Sequence, residues 1–182
     1  TTLLRDVIDI PERVGADDVT TIGIAQAAGI AGLTTKRLAA TLGAPATLAG
    51  LADVLAVHPL FLPRSYVDLA LRCAQAGDQL LIRLRPCPAL DEADGLSWAA
   101  LLAGPGGDAI LRAAVVCLVP TARLERVGGE TAAWHITDDP DGEPAEQPDS
   151  VTLTEFSTGA TFGFERRQVG ESVTPVASPH RR

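Results

Sequence analysis

The sequence predicts an α+β fold: an N-terminal helical segment followed by a mostly antiparallel sheet with helices packed on one face. Three observations carry that expectation. Apolar residues recur at helical spacing through much of residues 20–76. Residues 78–85 (DQLLIRLR) switch to a period of two. Two later stretches, 123–137 and 151–166, each set strand-forming residues on either side of a glycine-bearing turn. Helices and strands are segregated rather than alternating, so a parallel nucleotide-binding sheet is not expected.

Residues 1–19 read as an amphipathic N-terminal arm. Leu3, Leu4, Val7, Ile8 and Ile10 can line one helical face before Pro11 interrupts it. The run LLRDVIDIPERV, within residues 3–18, resembles the opening segment of large actinobacterial phage-defence ATPases, where it precedes the nucleotide-binding core. No GxxxxGK[ST] follows it here, so the resemblance does not bring the ATPase activity with it.

Residues 20–76 are expected to form a helical subdomain. Thr20–Leu42 can be read as a helix-turn-helix, with Ala25 and Gly29 as the small residues where two helices cross steeply. Thr34, Thr35, Lys36 and Arg37 would then open a DNA-contacting helix. Only Lys36 and Arg37 are basic in the whole motif, and plain helix packing gives the same pattern. Pro45–Val57 is a second helix with Leu48, Leu51, Ala52 and Leu55 on its inner stripe. His58-Pro59 ends it, with the imidazole placed to cap its last carbonyls. A third helix is expected from Pro63 or Arg64 to Ala76, with Tyr66, Leu69, Ala70 and Cys73 on one face.

Residues 77–167 should form the sheet domain. Leu80, Ile82 and Leu84 share one face of the first strand; Gln79, Leu81, Arg83 and Arg85 share the other. Pro86 ends it, and Cys87-Pro88 turns an extended corner. Asp91, Glu92 and Asp94 precede an apolar run, Leu96–Leu102, as acidic residues do at a helix N-terminus. Asp108 opens another helix that runs to about Leu118 before Pro120. Arg123–Val127 and Thr131–Thr137 form a hairpin across Gly128-Gly129. Asp138–Asp149 (DDPDGEPAEQPD) is an acidic, solvated loop. It fails the calcium-loop spacing D-x-[DN]-x-[DN]-G and lacks the Glu at position twelve. Val151–Phe156 and Ala160–Arg166 read as a second hairpin turning at Ser157-Thr158-Gly159, and residues 168–182 as a flexible tail.

With 46% apolar residues, the 182-residue chain can bury a sizeable core. Of its 15 basic residues all but Lys36 are arginine, which suggests a GC-rich genome. The net charge of −8 argues against a phosphate-backbone ligand. No apolar run reaches spanning length and no signal peptide is recognised, so no membrane association is expected. Three widely spaced cysteines without a CxxC motif fit reduced thiols in a cytoplasmic protein.

Catalytic residues are not identified, and neither a metal nor a cofactor is expected. His58, His135 and His180 are scattered without metal-ligand spacing. No nucleophile elbow or phosphate loop is present. Cys87 follows two arginines, which can activate a thiol, but Asp91 and Glu92 oppose them, and a buried structural role competes. Trp98, Trp134, Cys87, Phe162 and Phe164 could line a small apolar pocket between helix and sheet, or serve as core anchors. The leading expectation is a non-catalytic accessory or small-ligand-binding protein of the bacterial cytosol, acting on a protein partner or an apolar ligand, with a homodimer among the options. A helix-turn-helix regulator with a C-terminal ligand-sensing domain and a thiol-dependent enzyme using Cys87 are the alternatives.

Overall fold

The computed structural model describes residues 16–91, 98–104, 106–127, 132–155, 162–169 and 172–179. Most of the segment that resembles the phage-defence ATPases therefore lies outside the described residues. The fold is α+β, as its sequence predicts. Helix α1 (Ala16–Leu42) is followed by α2 (Leu48–Ala56) and a 3-10 turn at Pro59–Phe61. Strands β1 (Leu69–Cys73) and β2 (Gln79–Leu84) precede α3 (Trp98–Ala103) and α4 (Gly107–Val116). Then come β3 (Ala122–Arg126), β4 (Ala133–Asp138), α5 (Asp149–Glu155), β5 (Phe162–Val169) and β6 (Ser172–Pro179).

The alternative reading of Thr20–Leu42 as a helix-turn-helix gives way to plain helix packing: α1 is one unbroken helix of 27 residues. Gly29 does not mark a turn. It and Gly32 admit α5 against the side of α1. A Cβ on Gly29 would lie 2.5 Å from the Ser150 carbonyl oxygen, and one on Gly32 would lie 2.5 Å from Val151 Cγ2. Of the two small residues that suggested a steep crossing, Gly29 thus serves close lateral packing and Ala25 is exposed. The helix ends where Gly43 takes a φ of 63° and the Ala44 N–H reaches back to the Ala39 carbonyl at 3.0 Å, a glycine cap that few other residues could form. The Thr47 hydroxyl caps α2 by accepting from the Gly50 N–H at 3.2 Å.

The helix expected over 63–76 is replaced by β1. Leu69, Leu71 and Cys73 pair with Leu84, Ile82 and Leu80 in antiparallel register. Tyr66, Leu69 and Cys73 fit a helical stripe, but Leu69 and Leu71 also fit an alternating strand, and the partner strand decides. The boundary expected between residues 76 and 77 falls inside the β1–β2 turn, where Gly77 has a φ of 77°. The four-stranded sheet has the order β1-β2-β4-β3 with every neighbour antiparallel. Strands β3 and β4 pair antiparallel as expected, and the Gly128-Gly129 turn between them lies outside the described residues.

The second expected hairpin is not formed. Residues 149–155 are helical, and β5 pairs instead with β6, from the segment expected to be a flexible tail. The local pattern explains the helix: Val151 is fully buried while Leu153 is 71% exposed, which contradicts a strand with both on one face. The Val151 N–H also bonds the Pro148 carbonyl at 2.9 Å and opens the helix.

One apolar cluster holds the sheet and the helices together. Leu80, Ile82, Leu84, Trp134 and Ile136 project from the sheet into Leu51 and Leu55 of α2, Ile110, Leu111 and Val115 of α4, and Ala27 and Ala31 of α1. Burying each large side chain contributes about 1.5–3 kcal/mol. Among the described residues no helix is long and apolar enough to cross a membrane.

Candidate functional site

The side chains expected to line a pocket are packed into the core where they are described. Trp134 is fully buried and Cys87 is 6% exposed, both within the main apolar cluster. The side chains of Trp98, Phe162 and Phe164 lie outside the described residues; their backbones stand at the start of α3 and in β5. Trp134 is fixed by a polar latch. Its indole N–H and the Arg126 Nε–H both donate to Asp108 Oδ1 at 2.7 Å. The Arg126 guanidinium lies 4.9 Å from the indole centroid and donates to the carbonyls of Ala103 and Gly104 at 3.0 and 2.9 Å. Partial burial pushes the Asp108 carboxyl up, but the Trp134 and Arg126 hydrogen bonds and the Arg126 and Arg112 charges outweigh it, so its pKa is lowered. The donors of this latch, the Trp134 N–H and the Arg126 guanidinium, thus find their acceptors within the fold.

His58 is 1% exposed. It caps the 3-10 turn rather than the end of α2: its Nδ1 accepts from the Leu60 N–H at 3.2 Å, and Nε2 faces the Ala31 carbonyl at 3.3 Å. A ring nitrogen that accepts at Nδ1 leaves the proton on Nε2, where it can bond Ala31. Burial lowers the His58 pKa to about 4, against a smaller upward effect of the Ala31 bond. The space beside it, lined by Leu55, Phe61, Leu102 and Ile110, is too narrow for a water molecule.

The residues expected to touch DNA do not form an exposed basic edge. Thr35 is fully buried, and its hydroxyl has no partner among the described residues. Thr34 and Arg37 are half-buried. Lys36 donates to Gln147 Oε1 at 2.9 Å and pairs with Glu155, which ties α1 to the acidic loop and α5. Cys117 is close enough to both charges to feel them, yet burial dominates and pushes its thiol up to about 11. The described residues hold no group of three potential metal ligands.

Among the described residues, the outer face of the sheet carries charged side chains without partners. Helices α2 and α4, which touch the sheet, do so on the core face. The other face presents Arg72, Gln79, Arg83, Arg123 and Glu125 to solvent, with Leu81, His135 and Thr137 half-buried between them. The register aligns Arg72, Leu81, His135 and Glu125 in one row across all four strands. Arg72, Arg83 and Glu125 have no ion-pair or hydrogen-bond partner among the described residues, whereas Arg123 donates to the Glu143 carbonyl at 2.9 Å. Alternation in β2 already placed Arg83 outward. Arg72 was hidden by the helical reading of 63–76, and its alignment with Glu125 depends on a register that only the folded sheet supplies.

No model of a known protein family matches the chain, and neither a curated protein nor a solved structure shows significant similarity to it.

Proposed function

We propose that this is a non-catalytic accessory protein that acts through protein–protein contacts, with the outer face of its four-stranded sheet as the contact surface. The observation that carries this reading is the pair of exposed arginines, Arg72 and Arg83, which among the described residues have no partners and lie on a face that no described helix covers. Guanidinium groups are favoured at protein interfaces because their planar donors match carboxylates. The half-buried Leu81 between them supplies an apolar centre. Trp134 and Cys87, by contrast, stabilise the core. The three free cysteines suit a reducing bacterial cytosol.

Arginine-selective labelling tests the proposal. Phenylglyoxal modification, read by peptide mass spectrometry, should be slower at Arg72 and Arg83 in native extract of the producing cell than in dilute purified protein. Arg112, exposed on α4, serves as the internal control. Equal labelling of all three in both settings contradicts the proposal.

A further inference from the structure

Resting on that reading, we infer that the partner is a second copy of this chain, bound face to face through the outer sheet surfaces about a twofold axis parallel to the strands. The row Arg72–Leu81–His135–Glu125 carries opposite charges at its two ends, so it is complementary to a second copy turned about that axis. A twofold axis running between β2 and β4 exchanges β1 with β3 and β2 with β4 while keeping each row at its own height. Arg72 then meets Glu125 of the second copy, and Leu81 meets His135. Symmetry repeats both contacts.

In the neighbouring row Arg83 of β2 comes over Ala133 of the other β4, a buried residue that sets no like charge against it. A twofold axis across the strands and through this row does the opposite: it stacks β1 on β1 and β3 on β3, setting Arg72 against Arg72 and Glu125 against Glu125, and like charges in contact are costly. Packed sheets rotate by about 30° relative to one another, which the length of the arginine side chain accommodates at the edges.

The charge and size of the face set the strength. Each copy carries a net charge of −8, so two copies repel at long range and attract only where the outer faces pair opposite charges. Four strands about 4.8 Å apart and about five residues long give roughly 300 Å² of projected face per copy. That lies below the ~800 Å² per partner of a standard interface, so the dimer is weak and forms with rising concentration. A single-stranded nucleic acid fits less well, because the face offers no Phe, Tyr or Trp for bases to stack on.

Sedimentation equilibrium of the full chain across concentration tests the inference. The unmodified protein should pass from monomer to dimer. R72E and E125R should each weaken the dimer at least tenfold, and the double variant R72E/E125R should restore it. Both residues are exposed, and R72Q and E125Q, with smaller weakening expected, cover the case in which a charge reversal fails to fold. A protein that stays monomeric when concentrated, a dimer indifferent to R72E, or a double variant that fails to recover overturns the inference. If the purified protein stays monomeric while extract still protects Arg72 and Arg83, the dimer is overturned and the contact surface stands.

Discussion

Trp134 donates its indole N–H to Asp108 Oδ1 at 2.7 Å, joining the buried centre of β4 to the first turn of α4. Arg126 closes the same contact from β3. Helix, hairpin and the end of α3 are thereby locked at one point. The carboxylate also stands near the positive end of α4, where a negative charge is favourable.

Replacing Asp108 by Ala should leave the Trp134 N–H buried without an acceptor and free Arg126. The cost expected is about 1–3 kcal/mol, measured by urea denaturation. Trp134→Phe keeps the Asp108–Arg126 pair and removes the donor with the acceptor's second bond. Equal stability of D108A and the unmodified protein contradicts a structural role for the latch. The pH dependence has a definite sign. A carboxyl whose pKa is lowered in the fold stabilises above its unfolded pKa, and that contribution is lost as pH falls through the folded value.

His58 gives an acid-sensitive contribution of the same sign by another route. Its pKa drops from 6.5 to about 4 on folding, so between those values the unfolded chain binds a proton that the folded chain refuses. Stability is full above pH 6.5 and falls as pH drops toward 4, by at most about 3 kcal/mol. Protonation would also remove the Nδ1 acceptor of the Leu60 N–H. Urea midpoints measured through this window should slope less in H58Q than in the unmodified protein; the same slope in both contradicts the assignment.

Gly29→Ala inverts a familiar sign. In a helix interior that change usually stabilises by roughly 1 kcal/mol. Here the new methyl meets the Ser150 carbonyl, so a loss of about 1–3 kcal/mol is expected. Hydrogen exchange over residues 149–155 should accelerate as α5 loosens. A stabilised variant with unchanged exchange rules out the close α1–α5 contact.

Val151 and Leu153 separate the helix from the strand reading of their segment. Val151→Ala should cost about 1–3 kcal/mol, since Val151 is fully buried. Leu153→Ser should fall within about 0.5 kcal/mol of the unmodified protein because its side chain is exposed. Comparable losses at both positions would restore the strand.

These residues also mark how far the sequence was legible. Leu80, Ile82 and Leu84 announced β2 because alternation over six residues, bounded by Gly77 and Pro86, has no good helical alternative. Gly128-Gly129 announced the β3–β4 hairpin. Two other short segments were ambiguous. Leu69–Cys73 fits either period, and its partner β2 lies across a turn. Val151–Glu155 carries β-branched residues, yet tertiary packing against Gly29 and Gly32 overrides their strand preference. For the candidate surface, Arg83 was visible as an outward residue of an amphipathic strand. The charge row was not, because a register is a relation between strands that no single strand contains.

The most direct measurement is a concentration series of ¹H–¹⁵N NMR spectra that follows backbone amides and arginine Nε–H groups. The account predicts shifts concentrated on the outer face, at Arg72, Leu81, Arg83, Glu125 and His135, growing together as the protein is concentrated. Spectra that do not change with concentration, or shifts gathered around exposed Ile22 and Leu153 while the sheet stays silent, would contradict it.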